Sequence, residues 1–311
     1  MSLRRSTRKT TEIVKSELKR SHDDTVIKTE LQKTITTKVK KVKKEIKIED
    51  EPLHQQPQEQ QKAPKNWKIV YDTLEAYREI NKAAVDTMGC ERLADSKAPA
   101  HVQRFQTLVS LMLSAQTKDT VTSAAVIKLQ NELKGGLCLE SILSLDEAVL
   151  DDMIRSVGFH TKKASYIKRT AEILRDQYNG DIPDTIEGLT SLPGVGPKMG
   201  YLTLQVAWNK NLGIGVDVHV HRISNRLGWV KTKTPEETRL SLQSWLPKDK
   251  WKKINPIMVG YGQIVCLPRG PLCNACPVSQ YCPSAVIKKM KNKILTESIY
   301  FKKEEDTATL D

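Results

Sequence analysis

Leu192-Pro-Gly-Val-Gly-Pro-Lys198 is the stretch whose reading decides the fold of this chain. Leu192 ends one helical pattern, Gly194 and Gly196 permit a tight turn, and Pro197 takes the favoured first position of the next helix. The turn therefore presents backbone N–H groups at a helix N-terminus, which is a ready anion site. An ordinary helix–turn–helix corner would use the same glycines. The chain carries 50 Lys+Arg against 37 Asp+Glu, a formal charge of +13. On so basic a chain the anion expected is a nucleic-acid phosphate, gripped without reading sequence.

The pattern on either side of the hairpin is helical. Phe105, Leu108, Val109 and Met112 recur at i, i+3, i+4, i+7, and Ala164, Ile167, Ala171 and Leu174 hold a similar stripe. Ser144-Leu-Asp-Glu147 reads as a capping box opening a helix that ends near Gly158. Thr234-Pro-Glu-Glu237 combines an N-cap, proline at the first helical position and glutamate at the third. Asn179-Gly180 reads as a left-handed C-terminal cap. No run of strands with hairpin turns and no fixed-period repeat accompanies these signals, so the fold class expected is all-α.

Much of the positive charge lies outside this helical region. The first 66 residues hold 17 Lys/Arg and 10 Asp/Glu, a net +7, and no aromatic residue before Trp67. Such a segment buries too little apolar surface to offset the entropy of ordering it, so 1–66 is expected to be a disordered basic tail, ending in a Gln/Pro-rich linker. The last 20 or so residues (291–311) are expected to form a second flexible tail. No stretch approaches the ~18 uninterrupted apolar residues of a membrane span. Six cysteines in 311 residues are too sparse for a disulfide-stapled secreted domain. The lysine run KVKKVKK (38–44) suits nuclear import, and the acid-free MSLRRSTRKTT (1–11) leaves a mitochondrial presequence as the alternative.

Four of the six cysteines, Cys266, Cys273, Cys276 and Cys282, fall at C-x6-C-x2-C-x5-C. Clustered thiolates at such spacing suit a tetrahedral metal or an iron–sulfur centre, and spacing alone leaves zinc and iron–sulfur equally open. Cys90 and Cys138 lie far away in sequence and are expected to be small buried apolar residues.

Lys198 sits in the first turn of the second hairpin helix. An ammonium faces the positive end of the helix dipole there, which favours the neutral amine, and a neutral lysine can attack as a nucleophile and form a Schiff base. A solvated lysine pairing with phosphate is the plainer reading. Asp217, in GVDVHVHRISNRLGW (215–229), reads first as a helix N-cap. A carboxylate at a helix start can also face a cleft and relay protons. His219 and His221 lack nearby partners for a metal and are expected to be phosphate-facing or supporting groups.

Taken in order, the hairpin with its lysine, the aspartate of VDVHV and the four-cysteine frame resemble the endonuclease III family of DNA glycosylases, within the helix-hairpin-helix glycosylase superfamily. The resemblance covers about residues 67–290. It implies a [4Fe–4S] cluster on Cys266, Cys273, Cys276 and Cys282, a catalytic lysine at Lys198 and a catalytic aspartate at Asp217. LMLSAQTKD (111–119) matches the family segment whose glutamine, here Gln116, enters the gap left in the duplex. GFHTKKA (158–164) puts Phe159 at the position of a hydrophobic wedge. DNA contacts are further implied at Gly194, Val195, Gly196 and His219, and at Arg269 on the loop between Cys266 and Cys273. Pro197 stands where bacterial members often carry arginine.

The resemblance implies two all-α lobes: a cluster lobe combining 67–98 with 211–290, and a six-helix barrel lobe over 99–210 that contains the hairpin at about 185–208. The implied enzyme is a monomer that removes oxidised pyrimidines from duplex DNA, or acts on abasic sites, and cuts the strand 3′ by β-elimination, with downstream repair proteins as further partners. The adenine-excising branch shares the cysteine spacing but lacks the hairpin lysine and carries a catalytic glutamate where this chain has Leu111. A non-catalytic DNA-binding protein would need neither Lys198 nor Asp217.

Overall fold

The computed structural model describes residues 62–287. The expectations for the basic tail, its lysine runs and most of the linker, and for the C-terminal tail, lie outside the described residues. Twelve α-helices carry the described chain: α1 Trp67–Ile80, α2 Ala84–Met88, α3 Ala100–Ser114, α4 Asp119–Glu132, α5 Leu139–Ser144, α6 Glu147–Met153, α7 His160–Gln177, α8 Ile186–Ser191, α9 Pro197–Ala207, α10 Val218–Arg226, α11 Pro235–Gln243 and α12 Trp251–Ile264. Short 3₁₀ turns intervene, and no strand occurs among the described residues. The described chain is all-α, and no described helix is long and apolar enough to cross a membrane.

The stripes read from the sequence face inward. Phe105, Leu108, Val109 and Met112 of α3 are buried, as are Ala164, Ile167, Ala171 and Leu174 of α7. Helix α7 stops where expected: Asn179 and Gly180 adopt φ of 52° and 82°, and the Gly180 N–H bonds back to Leu174 O at 3.0 Å, closing the last turn. Thr234 caps α11 by accepting from the Glu237 N–H at 3.2 Å, while the Glu237 carboxylate accepts from the Lys233 N–H at 2.9 Å.

Ser144 departs from its expected role. It is the last residue of α5, and its hydroxyl bonds back to Ser141 O. The cap of α6 is Asp146, which accepts from the Ala148 N–H at 2.8 Å, and the helix ends at Met153, short of Gly158. Two candidate caps stood two residues apart, and the aspartate, whose short carboxylate reaches the free N–H groups directly, took the position.

Apolar side chains gather in two main cores. The first draws on 105–204 and includes Leu108, Leu129, Ile142, Leu150 and Leu174. The second joins Val70, Tyr71 and Leu74 of α1 to residues between Ile214 and Val278. Helix α1 packs on α12, 171 positions or more away in sequence. Gly260 makes room for that contact, since a Cβ there would meet the Arg78 guanidinium at 2.1 Å. The buried Arg78 is in turn neutralised by Asp86 of α2. Tyr77 meets Tyr261 edge to face at 5.7 Å, a favoured geometry for aromatic pairs.

Candidate active site

The hairpin consists of α8, the turn 192–196 and α9. Gly194 is the residue that must be glycine: its φ is +75°, and a Cβ would lie 2.4 Å from the Tyr166 ring. Gly196 differs from the reading that gave both glycines the turn, for its φ of −98° is open to any residue. Its value is access, since nothing lies within 4 Å of where a side chain would start. Val195 also departs from expectation. Its side chain is buried in the first core and its N–H closes the turn onto Leu192 O at 3.1 Å, so it has none left for an anion. The N–H groups at the start of α9, on Lys198 and Met199, lack intrahelical acceptors as at any helix start.

The second residue of α9 is Lys198, and the N-cap of α10 is Asp217. The two meet across a cleft of about 1200 Å³. Asp217 Oδ1 accepts from the N–H groups of His219 and Val220, both at 2.8 Å. That leaves Oδ2 for Lys198 Nζ, 3.9 Å away, with the two side chains 37 % and 8 % exposed. Both readings of Asp217 hold at once: one oxygen caps the helix and the other faces the cleft. The ammonium is held near the carboxylate, with its outer face open.

Gln116 and His219 line the same cleft. Burial holds the His219 ring below the usual histidine range, against the opposing pull of Asp217. Gly262 admits that ring, because a Cβ there would lie 2.3 Å from His219 Nδ1. His221 instead bonds Thr238 Oγ1 at 2.7 Å.

Gln116 and Phe159 share an unusual backbone. Both are left-handed, with φ of 51° and 59°, a conformation costing a non-glycine residue about 1–2 kcal/mol. Their loops support each other: the Gly158 N–H donates to Thr117 Oγ1 at 3.2 Å, and a Cβ on Gly158 would lie 2.9 Å from Gln116 O. Phe159 stands 59 % exposed at the start of α7, a large apolar ring in water.

Lys163 holds this pair of loops together, and the sequence reading passed over it. Only 6 % exposed, it donates to Leu113 O at 2.7 Å, Ala115 O at 2.6 Å and Thr117 Oγ1 at 3.0 Å. It thus caps the negative C-terminal end of α3 and fixes both sides of Gln116. Burial brings its pKa down to about 8. Its signal in the sequence was a lysine one position before Ala164, on the face of α7 that should have been apolar. Glu91, which also lines the cleft, was missed as well.

Cys266, Cys273, Cys276 and Cys282 line one small cavity with Arg226, whose guanidinium lies 3.3 Å from Cys266 Sγ and bonds Leu267 O at 2.7 Å. The Tyr261 hydroxyl lies 3.0 Å from Cys276 Sγ. Among the described residues no three His, Cys, Asp or Glu side chains converge where a single metal ion could sit. Arg269 is exposed on the loop between Cys266 and Cys273. Cys90 is buried as expected, while Cys138 is half-buried at the start of α5.

Residues 109–248 match the family described as HhH-GPD superfamily base excision DNA repair protein. Over 228 residues the chain is 53 % identical to an endonuclease III homolog of Schizosaccharomyces pombe, covering 73 % of this chain and 64 % of that one. Over 224 residues it is 50 % identical to the endonuclease III-like protein 1 of Gallus gallus, covering 71 % and 79 %. A solved endonuclease III–DNA covalent intermediate matches 70 % of this chain and 96 % of that chain, with a TM-score of 0.60 and 26 % identity. The chain therefore spans slightly less than two thirds of the S. pombe relative's length.

Proposed function

This chain belongs to the endonuclease III family, and on that premise we propose that it is a bifunctional DNA glycosylase and abasic-site lyase of base excision repair, acting on oxidised pyrimidines in duplex DNA. The observation that carries this reading is the Lys198 amine 3.9 Å from the free Asp217 oxygen in an open cleft. A binding protein would need neither group, and the adenine-excising branch lacks the lysine.

The chemistry follows from that pair. Asp217 Oδ2 accepts a proton from the Lys198 ammonium and leaves a neutral amine. Its lone pair attacks C1′ of the everted nucleotide, and the C1′–N bond breaks with its electrons going to the base. The sugar ring opens to a Schiff base on Nζ. Loss of a C2′ proton then expels the 3′ phosphate, which is β-elimination. Because Asp217 Oδ1 is fixed on two backbone N–H groups, Oδ2 stays aimed without rearrangement.

The start of α9, beside the open Gly196, would grip a backbone phosphate, with His219 at the cleft and Arg269 on its exposed loop as further DNA contacts. Gln116 would fill the gap left by the everted base and Phe159 would wedge beside it. Eversion costs a few kcal/mol, least at a damaged pair.

The four thiols fit a [4Fe–4S] cluster. They share one cavity beside Arg226 and Tyr261, and four thiolates are the donor set that would hold such a centre. When bound, the cluster would supply a rigid framework for the loop 267–272 and no step of the reaction. The cluster lobe would take in 67–98 and 211–290, and the barrel lobe 99–210. The nucleus is the site of action proposed from the lysine runs of the tail, with the mitochondrion as the alternative.

Borohydride trapping on a duplex containing an oxidised pyrimidine tests the reading. Wild type should yield a covalent adduct and Lys198→Ala none. An adduct that survives the substitution would overturn the assignment.

A further inference from the structure

A buried lysine is rare unless each of its donors finds a partner. Lys163, the fourth residue of α7, meets that condition: its three ammonium protons match Leu113 O, Ala115 O and Thr117 Oγ1 at 2.6–3.0 Å. Two of those acceptors belong to the residues on either side of Gln116. Thr117 Oγ1 also accepts from the Gly158 N–H at 3.2 Å, and its own proton goes to Ala115 O at 3.2 Å. The main chain of Lys163 completes the circuit, for its N–H donates to Phe159 O at 3.1 Å. One residue thus grips both flanks of Gln116 with its side chain and Phe159 with its backbone.

The circuit encloses the two left-handed residues of this rim, Gln116 and Phe159. Such a conformation is unfavourable for a residue with a side chain and persists only where the surroundings over-determine it. Both side chains are exposed, so the backbone beneath sets their aim. Lys163 itself does not line the cleft. Its position lets it act on the chemistry only through the loops that it binds.

We propose that Lys163 is a positioning residue for base eversion: it makes the gap-filling Gln116 and the wedge Phe159 one rigid piece, so that the two enter the duplex together. This rests on the glycosylase reading above and deepens it, since it separates the group that prepares eversion from the pair that breaks the glycosidic bond. Turning a base out costs most when it is properly paired. The contribution of Lys163 therefore depends on the partner of the damaged base, which a role in stability alone would not.

The test is single-turnover excision of one 5-hydroxycytosine, placed opposite guanine, where it is paired, or opposite cytosine, where it is not. All proteins are assayed below the melting temperature of the least stable. Lys163→Met should slow excision opposite guanine about tenfold or more, the scale of a displaced positioning group, and opposite cytosine distinctly less. Gln116→Ala should slow it as well, and in the double variant the two losses should fall well short of multiplying, because one acts through the other. Losses that multiply, an unchanged rate in either single variant, or an equal deficit opposite both bases would each overturn the proposal. Thr117→Val removes one acceptor and the tie to Gly158, and it carries the same three comparisons if Lys163→Met does not fold. Absence of Lys198-dependent trapping in the wild type would instead sink the glycosylase reading itself, whatever Lys163 does.

Discussion

Lys163 shows what a single residue does for the geometry of the cleft rim. Its ammonium satisfies two carbonyls and a hydroxyl around Gln116, so Lys163→Met strands buried acceptors, each worth about 1–3 kcal/mol. A loss of about 2–4 kcal/mol is expected, read by chemical denaturation. The pH dependence has a definite sign. The folded amine titrates near pH 8 against an ordinary value of 10.5, so between those values the unfolded chain binds a proton that the folded chain does not. Raising pH through that window therefore favours the folded state. Wild type should gain on Lys163→Met from pH 8 to 10.5, and a constant gap in melting temperature would contradict the assignment. Lys198 and Asp217 were legible in the sequence because each sits at a helix start marked by local signals. Lys163 was not, since its partners lie 46 to 50 residues upstream and only packing reveals them.

The hairpin is an element whose position the sequence marks closely, for a physical reason. Glycine and proline act through their own φ and neighbours within a few residues, so local sequence suffices. Even so, its two glycines do different work, one conformational and one a matter of access, which only the folded structure separates. Gly194→Ala should cost about 1–3 kcal/mol for the strained backbone and displace the turn from Tyr166. Binding to undamaged duplex should weaken equally for every sequence, with the log K against log salt slope reduced by about 1 if one phosphate contact is lost. A sequence-dependent loss would mean that the turn touches bases. The misread cap at Ser144 shows the limit of the same approach: where short helices α5 and α6 abut, two polar residues two positions apart satisfy the same rule.

On the scale of the whole molecule, the cleft assembles side chains from α2, α3, α4, α9, α10, α11 and α12 and from turns beside them. A resemblance supplied that assembly in advance; periodicity could not, because stripes report burial without naming partners. The two cores differ in what completes them. The second contains the cysteine cavity at its edge, with Val278 and Tyr261 packed alongside. Cys276→Ser should lower iron and acid-labile sulfide in the purified protein and reduce the melting temperature by several degrees, since a bound centre contributes to folding directly. Zinc at stoichiometry in the wild type would refute the cluster.

The return of the chain to its own beginning has a consequence for its birth on the ribosome. The second core joins α1 to residues as far along as Val278, while the first is complete by Leu204. During synthesis the first core can therefore form while its neighbour is still unfinished. Helix α1 has its apolar face exposed throughout that interval, awaiting a partner translated some 180 residues later. Any chaperone that attends this nascent chain has its binding surface defined by Val70, Tyr71 and Leu74, the side chains that α12 eventually covers.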